Sequence, residues 1–317
     1  MSYGMNGFLG LGKETTWGTA VAATDYVEIM NEGIKAEYDR FDTRNAINAM
    51  YEPDRSAGLI RVGGPISVAG FPEITGHLMR AAMNTLSGTT VLSGFLYTTR
   101  FVSPQAEFAD GVPSQPYTLE IFRDVTSSHR YAGMVLNRLS LAMSPNQPLM
   151  LNADFLGKAA TLLQKSSPTF VSSPAEPFMF DTASVRLGGS ATARVEAFTV
   201  SIDNQLEGIP ALNNSNQIAR IRRRGPQVIR VQGTVDFQDV TEYNDFINQT
   251  ERAISLALFK SQSFAAVIDV PRMVYTSFSP NIRGRERQTV SFAGEARYKT
   301  TSATALGLYI TSVTSTY

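Results

Sequence analysis

The stretch GFLGLGKE near the N-terminus is the most suggestive place for chemistry in this sequence. Gly7, four residues, then Gly12-Lys13 match the first part of the phosphate-cradling loop G-x-x-x-x-G-K-[ST]. That loop needs a hydroxyl after the lysine to hold magnesium, and Glu14, a carboxylate that repels phosphate, stands there instead. The loop must also leave a buried strand and open a helix. Here the short opening MSYGMN is polar and Gly-containing, and Thr15-Thr16-Trp17-Gly18-Thr19 is poor helix material. The residues predict a Gly-rich N-terminal arm with no nucleotide chemistry.

The rest of the chemical inventory is thin. His77 lies in FPEITGHLMRAAM, a short helical pattern, and reads as a surface or half-buried residue; His129 lies in DVTSSHRY, a turn. No H-E-x-x-H, G-x-S-x-G or clustered metal-ligand spacing occurs, so no catalytic residue, cofactor site or metal site is assigned. Cysteine is absent, which removes disulfides, thiolate metal sites and thiol nucleophiles together. Nothing here asks for an enzyme.

The elements that must carry any function follow from composition and pattern. A chain of 317 residues suggests two domains, and 43% hydrophobic residues supply real cores. Lys plus Arg and Asp plus Glu both total 28, and a net charge of zero argues against a dedicated nucleic-acid or membrane-surface binder. No apolar run approaches the roughly 20 residues of a membrane span, and no signal-peptide pattern is expected. Residues 199–203, 230–237 and 288–296 alternate at period two, the pattern of half-buried strands. Helical spacing occurs over 71–83, with Pro72 and Glu73 suited to a first turn. It recurs over 240–249, with Asp239 as N-cap and Glu242 three residues on. The chain is expected to be mainly β, with one short helix in each half.

A repeat is visible around those helices. IRVGGPI at 60–66 precedes the first and IRVQGTV at 229–235 precedes the second. Ser144-Pro145-Asn146 turns a hairpin returning as LNADFLGKA, and Ser279-Pro280-Asn281 turns one returning as VSFAGEA. The first half is longer, which places an insertion around 85–116. The Pro- and Ser-rich segment 166–177 reads as a linker. The division expected is 1–165 as the first domain, with the N-terminal arm, and 178–317 as the second. Each copy also carries a long polar connection, 41–58 and 205–227, of a length that is usually functional or ordered against a partner. Apolar Ile47, Met50, Tyr51, Ile209, Leu212, Ile218 and Ile221 on these connections suggest burial against another subunit.

Three segments together resemble the tail tube (major tail) proteins of long-tailed bacteriophages: LGKETTWGTAVAATDYVEI near the start, VLNRLSLAMSPNQPLMLNADFLGK at 135–158, and IDVPRMVYTSFSPNIRGRERQTVSFAGEARY at 268–298. The resemblance covers most of the chain because the repeated unit matches twice. It implies tandem β-sandwich or small-barrel domains, each flanked by a helix, whose inner sheets join those of neighbours into a barrel around a channel. With two domains per chain, three chains would make a pseudo-sixfold ring, and stacked rings a tube in the virion tail, assembled in the host cytoplasm. The partners implied are further copies of the chain, tail-tip, tape-measure and tail-terminator proteins, and double-stranded DNA in non-specific passage. No cofactor and no membrane is implied, and the tail favoured is non-contractile.

DNA is a dense polyanion, and a conduit for it should present polar, neutral-to-acidic groups. Taking each strand's polar face, the lumen candidates are Lys35, Glu37, Asp39, Asn152, Asp154, Ser201, Asp203, Gln232, Thr234, Asp236, Thr289, Ser291 and Glu295. The competing reading is that several of them face solvent or a domain interface. The run Ile218-Ala219-Arg220-Ile221-Arg222-Arg223-Arg224 either binds phosphate or meets acidic groups such as Glu28, Glu32, Glu52, Asp54 or Glu207 on a neighbouring ring. The second is favoured, which makes Ile47, Met50, Tyr51, Asp54, Ile218, Arg220, Ile221, Arg222, Arg223 and Arg224 ring-stacking candidates. Trp17 is expected to anchor the N-terminal arm, a flexible strap lying across an adjacent domain. The alternatives are a tail-terminator or head-completion ring, a β-sandwich module binding carbohydrate or a cell surface, or a DNA binder acting through the arginine run.

Overall fold

Residues that alternate at period two form strands when one face can be covered, and most of this chain does so. The structure, a computed structural model, describes residues 4–42, 50, 55–83, 85–93, 96–102, 111–170, 176–238, 240–280, 287–298, 300–301 and 304–313. The first half opens with β1 (Phe8–Lys13), β2 (Asp25–Val27), β3 (Asn31–Glu32), β4 (Lys35–Asp42) and β5 (Arg55–Ala69), leading into helix α1 (Pro72–Ala82). It continues with β6 (Thr85–Ser93), β7 (Leu96–Val102), β8 (Tyr117–Phe122), β9 (Ser127–Met143), β10 (Met150–Gly157) and β11 (Ala159–Gln164). The second half has β12 (Ala183–Leu187), β13 (Ser190–Thr192), β14 (Val195–Asp203), β15 (Leu206–Ile209), β16 (Arg220–Arg223) and β17 (Val228–Asp236). Helix α2 (Thr241–Ile247), β18 (Arg252–Ser261), β19 (Phe264–Phe278), β20 (Thr289–Ala296) and β21 (Gly307–Ser312) complete it. The fold is mainly β, as the alternation predicts, with a large antiparallel sheet that is not closed into a barrel.

One succession of pairings occurs twice. The β1–β2 hairpin borders β8, which pairs with the N-terminal part of β9; β11 pairs with that same part. The C-terminal part of β9 pairs with β10, then β5, then β4. In the second half the β12–β13 hairpin borders β18, which pairs with the N-terminal part of β19, as does β21. The C-terminal part of β19 pairs with β20, then β17, then β14. The registers match: Gly64 faces Phe155 across β5–β10, and Gly233 faces Phe292 across β17–β20. Register shifts at Asp154/Phe155 and Tyr275/Ser277 mark bulges in the β9–β10 and β19–β20 pairs, which let each long strand bend from one sheet into the other.

The halves meet strand to strand. Residues 198–203 of β14 pair with residues 143–138 of β9, so β4–β5–β10–β9–β14–β17–β20–β19 runs as one sheet. One face of it is apolar and buried, through Ile66, Leu139, Leu151, Phe155, Ile202, Val231 and Phe292, within a contiguous core drawn from both halves. On α1, Ile74, Leu78 and Met79 are buried, and each apolar side chain so covered contributes about 1.5–3 kcal/mol. This helix packs on β9 and reaches across to β21 and β19, whereas α2 packs mainly on β19.

Helix positions agree with the pattern, with one difference. Val240 caps α2 without a side-chain bond, while Asp239 lies outside the described residues. The N-terminal segment departs from expectation. Residues Phe8–Lys13 are not a flexible strap but strand β1, paired on both sides and buried, with Leu9 at 0% exposure. Apolar residues at alternate positions among the glycines fit a narrow strand between two others.

Candidate functional site

The face of the continuous sheet opposite the core is a broad polar surface. All thirteen lumen candidates lie on it by strand parity, and all are exposed or half-buried: Lys35, Glu37 and Asp39 on β4, Asn152 and Asp154 on β10, Ser201 and Asp203 on β14, Gln232, Thr234 and Asp236 on β17, Thr289, Ser291 and Glu295 on β20. Paired registers line them up across strands. Ser67, Asn152, Ser140, Ser201, Arg230 and Glu295 form one row that crosses from the first half to the second without a break. Asp154, Arg138 and Asp203 form the next.

Cations and anions on this surface are interleaved. Arg138 Nε donates to Asp203 Oδ2 at 3.2 Å, Arg61 to Asp39 at 3.0 Å, and Lys35 lies 2.5 Å from Glu37. The two cross-strand pairs, Arg138–Asp203 and Arg61–Asp39, stabilise the sheet by roughly 0.2–1 kcal/mol each. They also cancel the net field. Burial pushes the Asp154 carboxyl up; Arg138 opposes that and the Asp203 charge adds to it.

The segment around Glu14 has no room for a phosphate. Glu14 is 1% exposed and its carboxylate accepts from Gly18 N (2.7 Å), Thr118 Oγ1 (2.6 Å) and Gly133 N (2.8 Å). Trp17 Nε1 donates to Gly133 O at 2.9 Å, and Lys158 Nζ sits 4.7 Å from the Trp17 ring centre. Gly133 has φ 69°, which favours glycine, and an added Cβ would press on Trp17 and Lys158. Trp17 is held within its own chain, by Gly133 and Lys158. His77 is buried rather than at the surface, 3.6 Å from Asp25, whose carboxyl its hydrogen bond holds below the usual range. His129 lies on β9 and not in a turn.

The second long connection folds back as the β15–β16 hairpin. Ile218 and Ile221 are not available to another subunit: they are buried in a satellite core with Val112, Val135 and Leu206, against Trp17 and Leu59. Arg222 donates to Gly111 O and Arg223 to Pro113 O (3.4 Å), so two of the four arginines tie the hairpin to the first-half insertion. Arg220 and Arg224 remain exposed, as do Leu212 and Met50. Glu32 is not a free acid either, since Arg123 clamps it at 2.6 and 2.8 Å. Ile47, Tyr51 and Asp54 lie outside the described residues.

An extended polar sheet face that runs unbroken through both halves is an architectural surface. A scan against protein-family models matches this chain over residues 4–304 to the phage tail tube protein family. The chain belongs to that family. No curated protein matches it. As a tail tube protein it has a structural role in the phage tail, and the match spans both halves.

Three cations of the polar face escape a reading that favours neutral and acidic positions. Arg61, Arg138 and Arg230 point the same way as the acids and stand in register with Glu37, Asp203 and Ser201. The signal was present: Arg230 shares the parity of Gln232, Thr234 and Asp236 in β17, while Arg61 and Arg138 alternate with the apolar residues of β5 and β9, strands from which no residue was chosen. The Glu14 carboxylate also escapes it, because a buried acid bonded by backbone N–H groups has no sequence signature.

Proposed function

We propose that this tail tube protein forms a trimeric ring of six similar units, and that stacked rings make the tube through which double-stranded DNA leaves the capsid. The units are two copies of one β-domain, residues 1–165 and 178–317, joined by 166–177. The observation that carries this reading is the junction between halves. There, β14 continues the sheet begun by β4–β5–β10–β9 through six registered residue pairs. Among the described residues β4 pairs only with β5, which leaves its other edge open. An equivalent junction from the β19 edge of one chain to β4 of the next removes both open edges, and repetition closes a ring.

Four strands per unit give a barrel of about 24 strands. At roughly 4.8 Å between strands and about 40° of tilt, its backbone diameter is roughly 48 Å, wide enough for a duplex to pass once side chains are placed. The polar face lines that bore and the helices lie outside it. Interleaved charges let a polyanion slide, because few cations are left unpaired to hold phosphates. Tail-tip, tape-measure and tail-terminator proteins are the partners at the tube's ends and interior, and assembly takes place in the host cytoplasm. Negative-stain microscopy of the purified protein tests the reading. Rings with six blades, or tubes built from them, are the expected result, and a population of monomers under all conditions contradicts it.

A further inference from the structure

Helix α2 buries two acids beside Phe246 and turns apolar side chains outward. Glu242 and Asp245 are buried beneath it, held by Arg194 (2.5 Å to Glu242) and Arg252, while Val240 and Ile247 are each 57% exposed and Tyr243 36%. Their spacing puts the three on one stripe. Counted from Gly64 and Gly233, Phe71, Ile74 and Leu78 of α1 hold the positions of Val240, Tyr243 and Ile247 of α2. In α1 the latter two are buried, at 1% and 2% exposure. The difference lies in the cover that each helix receives. Strands β21 and β19 of the second half lie against α1. Helix α2 packs mainly on β19 of its own half, and its outer stripe stays in solvent.

The surface that would receive α2 is also identifiable. The β8–β9 and β18–β19 pairs each carry a register shift, between Tyr117/Leu119 and between Arg252/Ile254; counted from these shifts, Ile121 and Leu256 are equivalent, and so are their partners His129 and Ile268. Leu162 of β11 pairs with His129, and Leu308 of β21 pairs with Ile268. Leu308 is fully buried, whereas Leu162 is 69% exposed. One exposed apolar stripe and one exposed leucine thus occupy the two positions that, at the internal junction, cover each other's side of the fold.

We infer that the outward stripe of α2, Val240, Tyr243 and Ile247, docks on Leu162 of β11 in a second copy of this chain, forming a subunit contact outside the barrel wall. The inference rests on the ring reading, and it adds a second layer to an interface otherwise made of strand edges. A single patch of this size is small for a stable dimer, so it acts together with strand pairing.

The absence of cysteine makes the test clean. Ile247→Cys and Leu162→Cys are prepared as separate proteins, mixed under assembly conditions and treated with a short bis-maleimide. The expected result is covalent dimers of the 34.6 kDa chain in the mixture and none in either protein alone; the double variant should give trimers. Cross-linking of Ile247→Cys to itself indicates a twofold contact and overturns the inference. Tubes or rings seen by microscopy without any 247–162 cross-link overturn it while leaving the ring reading intact. Lack of all assembly by the unmodified chain overturns both. Independently, Ile247→Asp should shift the sedimenting species from ring to monomer without moving its urea midpoint. Rings formed normally by that variant also reject the contact.

Discussion

Glu73 offers the sharpest test of how the helices are built. It stands second in α1, 5% exposed, and among the described residues no other residue hydrogen-bonds its carboxylate. Its counterpart Glu242 is bound by Arg194; among the described residues Glu73 has no such cation. Burial pushes its carboxyl up from 4.5 to about 7, opposed only by its own backbone N–H. The native state therefore keeps a proton that the unfolded chain releases near 4.5. Stabilisation from the neutral acid is complete below that value and is lost as pH rises towards about 7, by about 1.4 kcal/mol per pH unit and roughly 3 kcal/mol in total. Glu73→Gln keeps the shape and removes the titration. Urea unfolding followed through the single tryptophan, Trp17, should give similar stabilities for the two proteins at pH 4.5. At pH 8 the variant should be more stable by up to about 3 kcal/mol. Parallel stability curves from pH 4.5 to 8 would refute the claim that Glu73 is buried without a partner.

Other substitutions separate fold from assembly. Glu14→Ala strips a buried acceptor from three donors and should cost roughly 3 kcal/mol or more in urea unfolding, whereas Trp17→Phe, losing one hydrogen bond, should cost about 1 kcal/mol. Arg220→Glu with Arg224→Glu should block stacking of rings while leaving the melting temperature in place, since both side chains are exposed; long tubes in electron micrographs of this variant would count against a stacking role. By contrast Arg222→Glu should lower the melting temperature, because Arg222 is bonded to the Gly111 carbonyl. Asn152→Lys with Ser201→Lys adds unpaired cations to the proposed bore and should leave tubes intact but slow DNA release from reconstituted particles; release at the normal rate would remove the electrostatic account of passage.

Much of this fold is legible because its rules are local. Period-two alternation identifies β14, β17 and β20, and the Pro72-Glu73 start identifies α1. The repeat of IRVGGPI and IRVQGTV marks β5 and β17, the strands beside which both helices begin. The features that escape such rules depend on distant partners. Glycines in β1 read as flexibility until β2 and β8 close on either side. Ile218 and Ile221 read as contacts for another subunit, yet Val112 and Val135, remote in sequence, cover them. Parity alone finds the polar face, while its balance of charge is misjudged by passing over Arg61, Arg138 and Arg230, each of which follows the same alternation.

In the proposed ring, the unequal chemistry of α1 and α2 follows from when each surface would be buried. The junction between halves forms as the chain folds, so α1 can present Ile74 and Leu78 to the second half and never expose them to water. An interface between chains must first exist as surface on a soluble molecule. A large apolar patch there would aggregate before it found its partner. Helix α2 meets both demands: its carboxylates turn inward to Arg194 and Arg252, where ion pairing satisfies them, and only a narrow stripe of Val240, Tyr243 and Ile247 faces out. In the proposed six-unit ring, joining two units in one chain would make half of the contacts intramolecular, so fewer copies would have to lose translational freedom to close it. A sixfold ring of single units would need every interface to serve both as soluble surface and as seam. In the proposed ring, tandem duplication would restrict that compromise to the α2 side of one half and the β11 side of the other.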